Sequence, residues 1–140
     1  MILFDTDTLT HFSYGNTNVR RKIEEVGDEQ LAIAVITRNE VLRDRADSLL
    51  KAANEEELRK AAERFRQAEE LLSDFLLVGF NEIAIKHFDR LRKQKNLKKM
   101  GRADMLIACI ALANDALLVT RNTKDFKDIT RLRIENWVDC

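Results

Sequence analysis

Proline is absent from this sequence, and cysteine and histidine are nearly so, at two residues each. Cys109 and Cys140 are too few for a disulfide framework or a zinc cluster, and His11 and His87 lack ligand-spaced partners. That scarcity points to two unpaired thiols in a reducing cytoplasm and argues against zinc chemistry. No apolar run approaches the roughly 20 residues that cross a bilayer. No basic stretch precedes the first apolar residues, as it would in a secretory signal. These absences predict a cytoplasmic protein with no membrane partner. Net charge is lacking as well: Lys+Arg and Asp+Glu are equal at 24 each, so the mean field carries no message about partners. The missing proline has no functional reading.

What is present describes a globular domain. Hydrophobic residues make up 45% and charged residues 34% of 140 positions, which fits one domain over residues 1–140. Its first feature is Ile2-Leu3-Phe4-Asp5-Thr6-Asp7, an apolar run that stops at two carboxylates. A short run with no polar alternation predicts a strand buried on both faces, hence central and parallel. Leu9 to Tyr14 is short helix or irregular chain, Gly15-Asn16 a turn, and Thr17 or Asn18 a cap for a helix to about Val26. Residues 31–36 form a second strand, after which Thr37 and Glu40 have the spacing of a capping box.

Helical periodicity over residues 41–53 and again over 58–75, with Asn54 between them, predicts a helical hairpin at about 39–75 that scaffolds or dimerises. Leu76-Leu77-Val78 is a third strand, and Asn81 caps a helix that runs into a basic stretch. From Arg90 to Arg102 there are seven basic residues and no acid. Such a run is a solvated helix end or a surface that meets a phosphate backbone. Ala103 to Ala116 is apolar all round and therefore a buried helix. Leu117-Leu118-Val119 is a fourth strand and residues 133–137 an edge-like fifth. The alternation predicts an α/β fold with a mainly parallel central sheet of four to five strands flanked by helices.

The polar residues at strand ends, or at the helix starts that follow, are Asp5, Asp7, Glu40, Asp104, Asn122 and Asp125. Each has a purely structural explanation. Glu40 completes a capping box, Asp104 answers a helix dipole, Asn122 and Asp125 suit a turn, and Asp7 caps a short helix. Asp5 is the hardest to dismiss, since a charge abutting a buried strand needs partners. In a parallel sheet all six lie at the carboxyl edge, where ligands bind. Carboxylates crowded there repel one another unless a cation joins them. Oxygen-only ligands select Mg²⁺ or Mn²⁺, and such an ion acidifies a water suited to attack on phosphorus.

Four segments carry a family resemblance: ILFDTDTL (2–9), ITRNEVL (36–42), GRADMLIA (101–108) and VTRNTKDF (119–126). In order and spacing, over essentially the whole chain, they resemble PIN-domain ribonucleases, and in particular the toxin component of VapBC-type toxin–antitoxin pairs. The resemblance implies a PIN-like fold and a metal-dependent endoribonuclease whose first three acids are Asp5, Glu40 and Asp104. Asp5 and Asp104 would hold the ion, and Glu40 would ligate through water or deprotonate the attacking one. The family's fourth acidic position falls on Asn122, with Asp125 close enough to substitute. Asp7 stands where many members have Asn, and Thr6 and Thr120 match small hydroxyl residues that orient ligands or water. Arg38, Lys98, Lys99, Arg102 and Arg121 are candidates for gripping RNA phosphates. A homodimer is implied, together with an antitoxin whose Arg or Lys opposes the acidic cleft.

Two other readings stand beside it. One is a PIN-like module that binds RNA or protein without cutting. The other is a haloacid-dehalogenase-like phosphatase, for which D-x-D after a first strand is the signal, although Leu9 stands where that motif has Thr or Val.

Overall fold

The computed structural model describes residues 1–139; Cys140, one of the two expected free thiols, lies outside the described residues. The other, Cys109, is free and buried. The chain runs β1 (Ile2–Phe4), α1 (Thr6–Ser13), α2 (Thr17–Val26), β2 (Leu31–Ala34), α3 (Val35–Lys51), α4 (Glu55–Ser73) and β3 (Leu76–Val78). It continues with α5 (Glu82–Leu91), a 3-10 turn (Lys95–Leu97), α6 (Arg102–Ala113), β4 (Leu117–Val119), α7 (Thr123–Phe126) and β5 (Arg133–Glu135). The strands form one five-stranded sheet in the order β3-β2-β1-β4-β5, with every pairing parallel. The expected α/β architecture is therefore the observed one, and β1 occupies its centre.

Side chains of β1 alternate between two cores. Leu3 joins the cluster built from α5 and α6, and Ile2 and Phe4 join the one that holds Leu9, Val19, Phe75 and Trp137. Phe4 sits in an aromatic group, 5.5 Å from Phe75 and 5.6 Å from Trp137 between ring centroids. Both faces are thus sealed, as an uninterrupted apolar run demands. No helix among the described residues is long and apolar enough to cross a membrane.

Several boundaries differ from the sequence reading. The second strand stops at Ala34, and Val35-Ile36 open α3 while still packing in the core. A continuous apolar run does not distinguish a strand from a helix start, and residues 35–36 belong to the helix. The capping box at Thr37 and Glu40 does not form: the cap position is Ala34, with no side-chain hydrogen bond, and Thr37 lies buried inside the helix. The first helix starts at Thr6, capped by Asp5 rather than Asp7, and Asn16 caps α2 in place of Thr17 or Asn18. The helical hairpin covers 35–73, the buried helix is 102–113 rather than 103–116, and the edge strand covers 133–135.

Strand order has one consequence for function. The chain leaves β1 toward β2 and β3, then crosses to the opposite side for β4 and β5. The switch in direction lies between β1 and β4, and the carboxyl ends of two such strands frame a crevice.

Candidate active site

Asp5 follows directly on β1 and its backbone N–H donates to the Val119 carbonyl at 3.1 Å, extending the β1–β4 ladder. Its carboxylate Oδ1 accepts the Thr8 backbone N–H at 2.8 Å, which caps α1. The Thr8 hydroxyl donates to the Val119 carbonyl at 3.0 Å, pinning the first turn of α1 over the end of β4. Asp5 is 6% exposed. Burial pushes its carboxyl above the ordinary value, and hydrogen bonds from Thr120 and Thr8 offset only part of that. Thr120 is itself fully buried, one residue past β4, and its hydroxyl oxygen accepts the Asn122 N–H at 3.0 Å.

Glu40 reaches the same edge from α3. Because α3 springs from β2 without a loop, its first turns stand over the carboxyl ends of the strands. The Thr6 hydroxyl donates to Glu40 Oε1 at 2.7 Å and lies 3.2 Å from the hydroxyl of buried Thr37. Asp104, in the first turn of α6, is half-buried, and its carboxyl is raised first by desolvation and then by the charges of Asp5, Asp125 and Glu40. Three acids from three other segments are therefore within electrostatic reach of Asp104. None of the four forms an ion pair among the described residues.

Asn122 and Asp125 act as a pair, the Asn122 side-chain amide donating to the Asp125 carboxylate. Asp7 lies on the open side of α1, with His11 Nε2 3.7 Å from its carboxylate. Among the expected phosphate contacts, Arg121 follows Thr120 and donates from Nε to Asp139 at 3.1 Å. The guanidinium of Arg102 lies 5.0 Å over the Phe88 ring, and Lys98 and Lys99 are exposed just before α6. Arg38 is elsewhere: it lines a groove with Leu42, Glu69, Leu72 and Phe75, on a different side of α3 from Glu40. Sequence reasoning passed over Thr8, Thr37 and Asp139. Thr37 suits a cap in the sequence alone, Thr8 acts through a contact 111 residues away, and Asp139 through one 18 residues away.

The donor set is oxygen only, which suits a hard divalent ion. Among the described residues no three Asp, Glu, His or Cys side chains are grouped tightly enough to hold an ion between them as they stand. That disfavours a closed cage of carboxylates. It fits Mg²⁺, which is held by one or two carboxylates and keeps several waters, with Asp5 and Asp104 as the two most desolvated acids of the group. An aspartyl-phosphatase chemistry fits less well. A carboxylate nucleophile needs an open approach, and Asp5 is buried with one oxygen committed to Thr8.

The PIN domain family model matches residues 2–132. Ribonuclease VapC2 of Rickettsia felis is 38% identical over 68 residues, 47% of this chain and 51% of that protein. Ribonuclease VapC1 of Haemophilus influenzae is 38% identical over 76 residues, 51% of this chain and 55% of that protein. The chain thus spans about half the length of the curated relatives it matches. Among solved structures, VapBC2 from Rickettsia felis bound to a DNA fragment from their promoter contains a chain 25% identical, with a TM-score of 0.77 covering 98% of this chain and 99% of that one.

Proposed function

The chain belongs to the PIN domain family, and on that premise we propose that it is a divalent-metal-dependent endoribonuclease that hydrolyses RNA phosphodiester bonds. One observation supports this above the rest: burial first, and then the charges of Asp5, Asp125 and Glu40, raise the Asp104 carboxyl, and among the described residues none of the four acids forms an ion pair. A fold does not retain mutually repelling acids for its own stability. Asp5 and Asp104 are the residues to hold Mg²⁺ or Mn²⁺, with Glu40 and the Asn122–Asp125 pair at the border of that site. When bound, the ion supplies the positive charge that makes the crowding tolerable and stabilises charge on the phosphoryl oxygens. Glu40, fixed by the Thr6 hydroxyl, accepts a proton from the attacking water. Arg121, Arg102, Lys98 and Lys99 bind the phosphates on either side of the cut.

In this reading the chain is the toxin of a toxin–antitoxin pair, restrained by an antitoxin whose basic side chain enters the acidic crevice. It self-associates as a homodimer. Exposed Leu76 and Leu77 on edge strand β3, with Phe80 and Ile83 beside them, offer the apolar surface for that.

Cleavage of an unstructured RNA tests the proposal. The expected result is turnover with Mg²⁺ or Mn²⁺, none with EDTA, and a loss of at least ~10²-fold in Asp104→Asn, since metal-assisted charge stabilisation contributes several kcal/mol. The ion is also expected to raise the melting temperature of the natural chain more than that of the variant. The looseness of the acid group favours a second reading, binding of RNA without cleavage. Metal-independent binding with no turnover would select it.

A further inference from the structure

Arg121 has two carboxylates within electrostatic reach. Asp139 acts on it through a hydrogen bond and charge, and Asp7, on α1, through charge alone. The hydrogen bond goes to Asp139, from Arg121 Nε to Asp139 Oδ2 at 3.1 Å, while Asp7 has His11 at 3.7 Å as its own neighbour. Nε makes that contact, and among the described residues neither terminal nitrogen of the guanidinium has a hydrogen-bond partner, which leaves them as a fork, the geometry that grips a phosphate through two bonds.

Asp139 does not reach Arg121 by accident of a loose strand end. After β5 the chain turns at Asn136, whose Oδ1 accepts the backbone N–H groups of Val138 at 2.9 Å and Asp139 at 3.2 Å. The Asn136 amide donates to Asp139 Oδ2 at 2.8 Å. Trp137 and Val138 are buried in the core, and the Val138 carbonyl accepts from Asn18 at 3.0 Å and Asn16 at 3.3 Å. The segment is therefore anchored to both β5 and the start of α2, with one carboxylate presented beside the end of β4. Asn136 and then Arg121 hold the Asp139 carboxyl below its ordinary value, so the group is charged wherever the enzyme works.

We infer that Asp139 is a positioning residue: it, and not Asp7, holds Arg121 and fixes its guanidinium so that the free fork meets an RNA phosphate at the rim of the crevice. This rests on the nuclease reading above. Simple charge counting gives the opposite expectation, because removing an acid near a polyanion site strengthens binding. The sign of the effect is therefore decisive.

The experiment measures binding of a fluorescein-labelled, unstructured 20-nucleotide RNA by anisotropy across a salt series. The parent is Asp104→Asn, so that the RNA stays intact. Asp139→Ala is expected to weaken binding roughly 3- to 10-fold, and Asp139→Glu to restore most of that loss. Arg121→Ala is expected to weaken binding and to lower the salt slope by about one. In the Arg121→Ala background, Asp139→Ala should then change nothing further. Tighter or unchanged binding in Asp139→Ala overturns the inference. So does an equal loss in the absence of Arg121, which would show that Asp139 acts through the fold. Failure of the natural chain to cut, together with failure of the parent to bind, overturns the nuclease reading itself and this inference with it.

Discussion

The α3–α4 hairpin and the carboxyl edge of β1 and β4 are both rich in charge, and they treat it in opposite ways. On α4, Arg59 pairs with Glu55 and Glu56, and Arg66 with Glu63 and Glu70, all at one-turn spacing on exposed surface. Asn54 accepts the Glu57 N–H at 2.9 Å while the Glu57 carboxylate accepts the Ala53 N–H at 2.7 Å, so the helix start satisfies itself. Neighbouring Arg66 holds the Glu63 carboxyl below its ordinary value. At the sheet edge the shifts run the other way: Asp5 and Asp104 are both raised, by burial before anything else. Charges that cost the fold little are local, exposed and paired. Charges that cost the fold stability and persist are the ones to examine for chemistry.

Asp5 offers the largest test of this contrast, because it serves both purposes at once. Asp5→Ala removes the cap of α1 and the charge together. It should cost about 1–2 kcal/mol of stability and abolish RNA cleavage. Asp5→Asn keeps an oxygen for the Thr8 N–H and loses only the charge, so cleavage should vanish while the melting temperature holds or rises. Equal destabilisation by both, measured by thermal unfolding, would mean that the charge itself supports the fold.

Asp104 gives the next effect in size and one with a definite pH signature. Its carboxyl is raised above 3.8 in the folded chain, so the folded state binds its proton more tightly than the unfolded state does. The resulting penalty is complete above the raised value and is relieved as pH falls toward 3.8. Without added divalent ion, Asp104→Asn should therefore melt higher than the natural chain near neutral pH. That advantage should shrink in acid. A difference that is constant with pH would separate the effect from ionisation.

The smallest effect belongs to the hairpin. Arg66→Ala breaks two exposed ion pairs, and its melting temperature should stay within about 2 °C of the natural chain. A larger fall would mean that these surface charges stabilise the fold after all and would blur the contrast.

Much of the architecture was legible in the sequence because it is written in short range. Short apolar runs marked β1, β3 and β4, and Asn54 and Asn81 marked the helix starts that they cap. The passage from β2 to α3 was not legible, since Val35 and Ile36 are equally at home in a buried strand and a buried helix turn. Asp5 was singled out for its position but not seen as a cap, because the same carboxylate answers both needs. Contacts such as Thr6 with Glu40 and Arg121 with Asp139 join residues brought together only by the sheet, so neither is visible in local pattern. The convergence of Asp5, Glu40, Asp104 and Asp125 followed from the expectation of parallel strands, and their electrostatic coupling agrees with that geometry.

The place of β1 between two parallel neighbours has one more consequence. Most clefts are assembled on the softest parts of a molecule, where backbone amides trade protons with solvent fastest. Here Asp5 is rooted at the end of a strand hydrogen-bonded on both sides, while the short helix of Thr123–Phe126 and the outer strand Leu76–Val78 lie farther from the centre of the sheet. Relatives of this protein can thus diverge at the margins, in partner or in RNA preference, while the floor of the crevice keeps its shape.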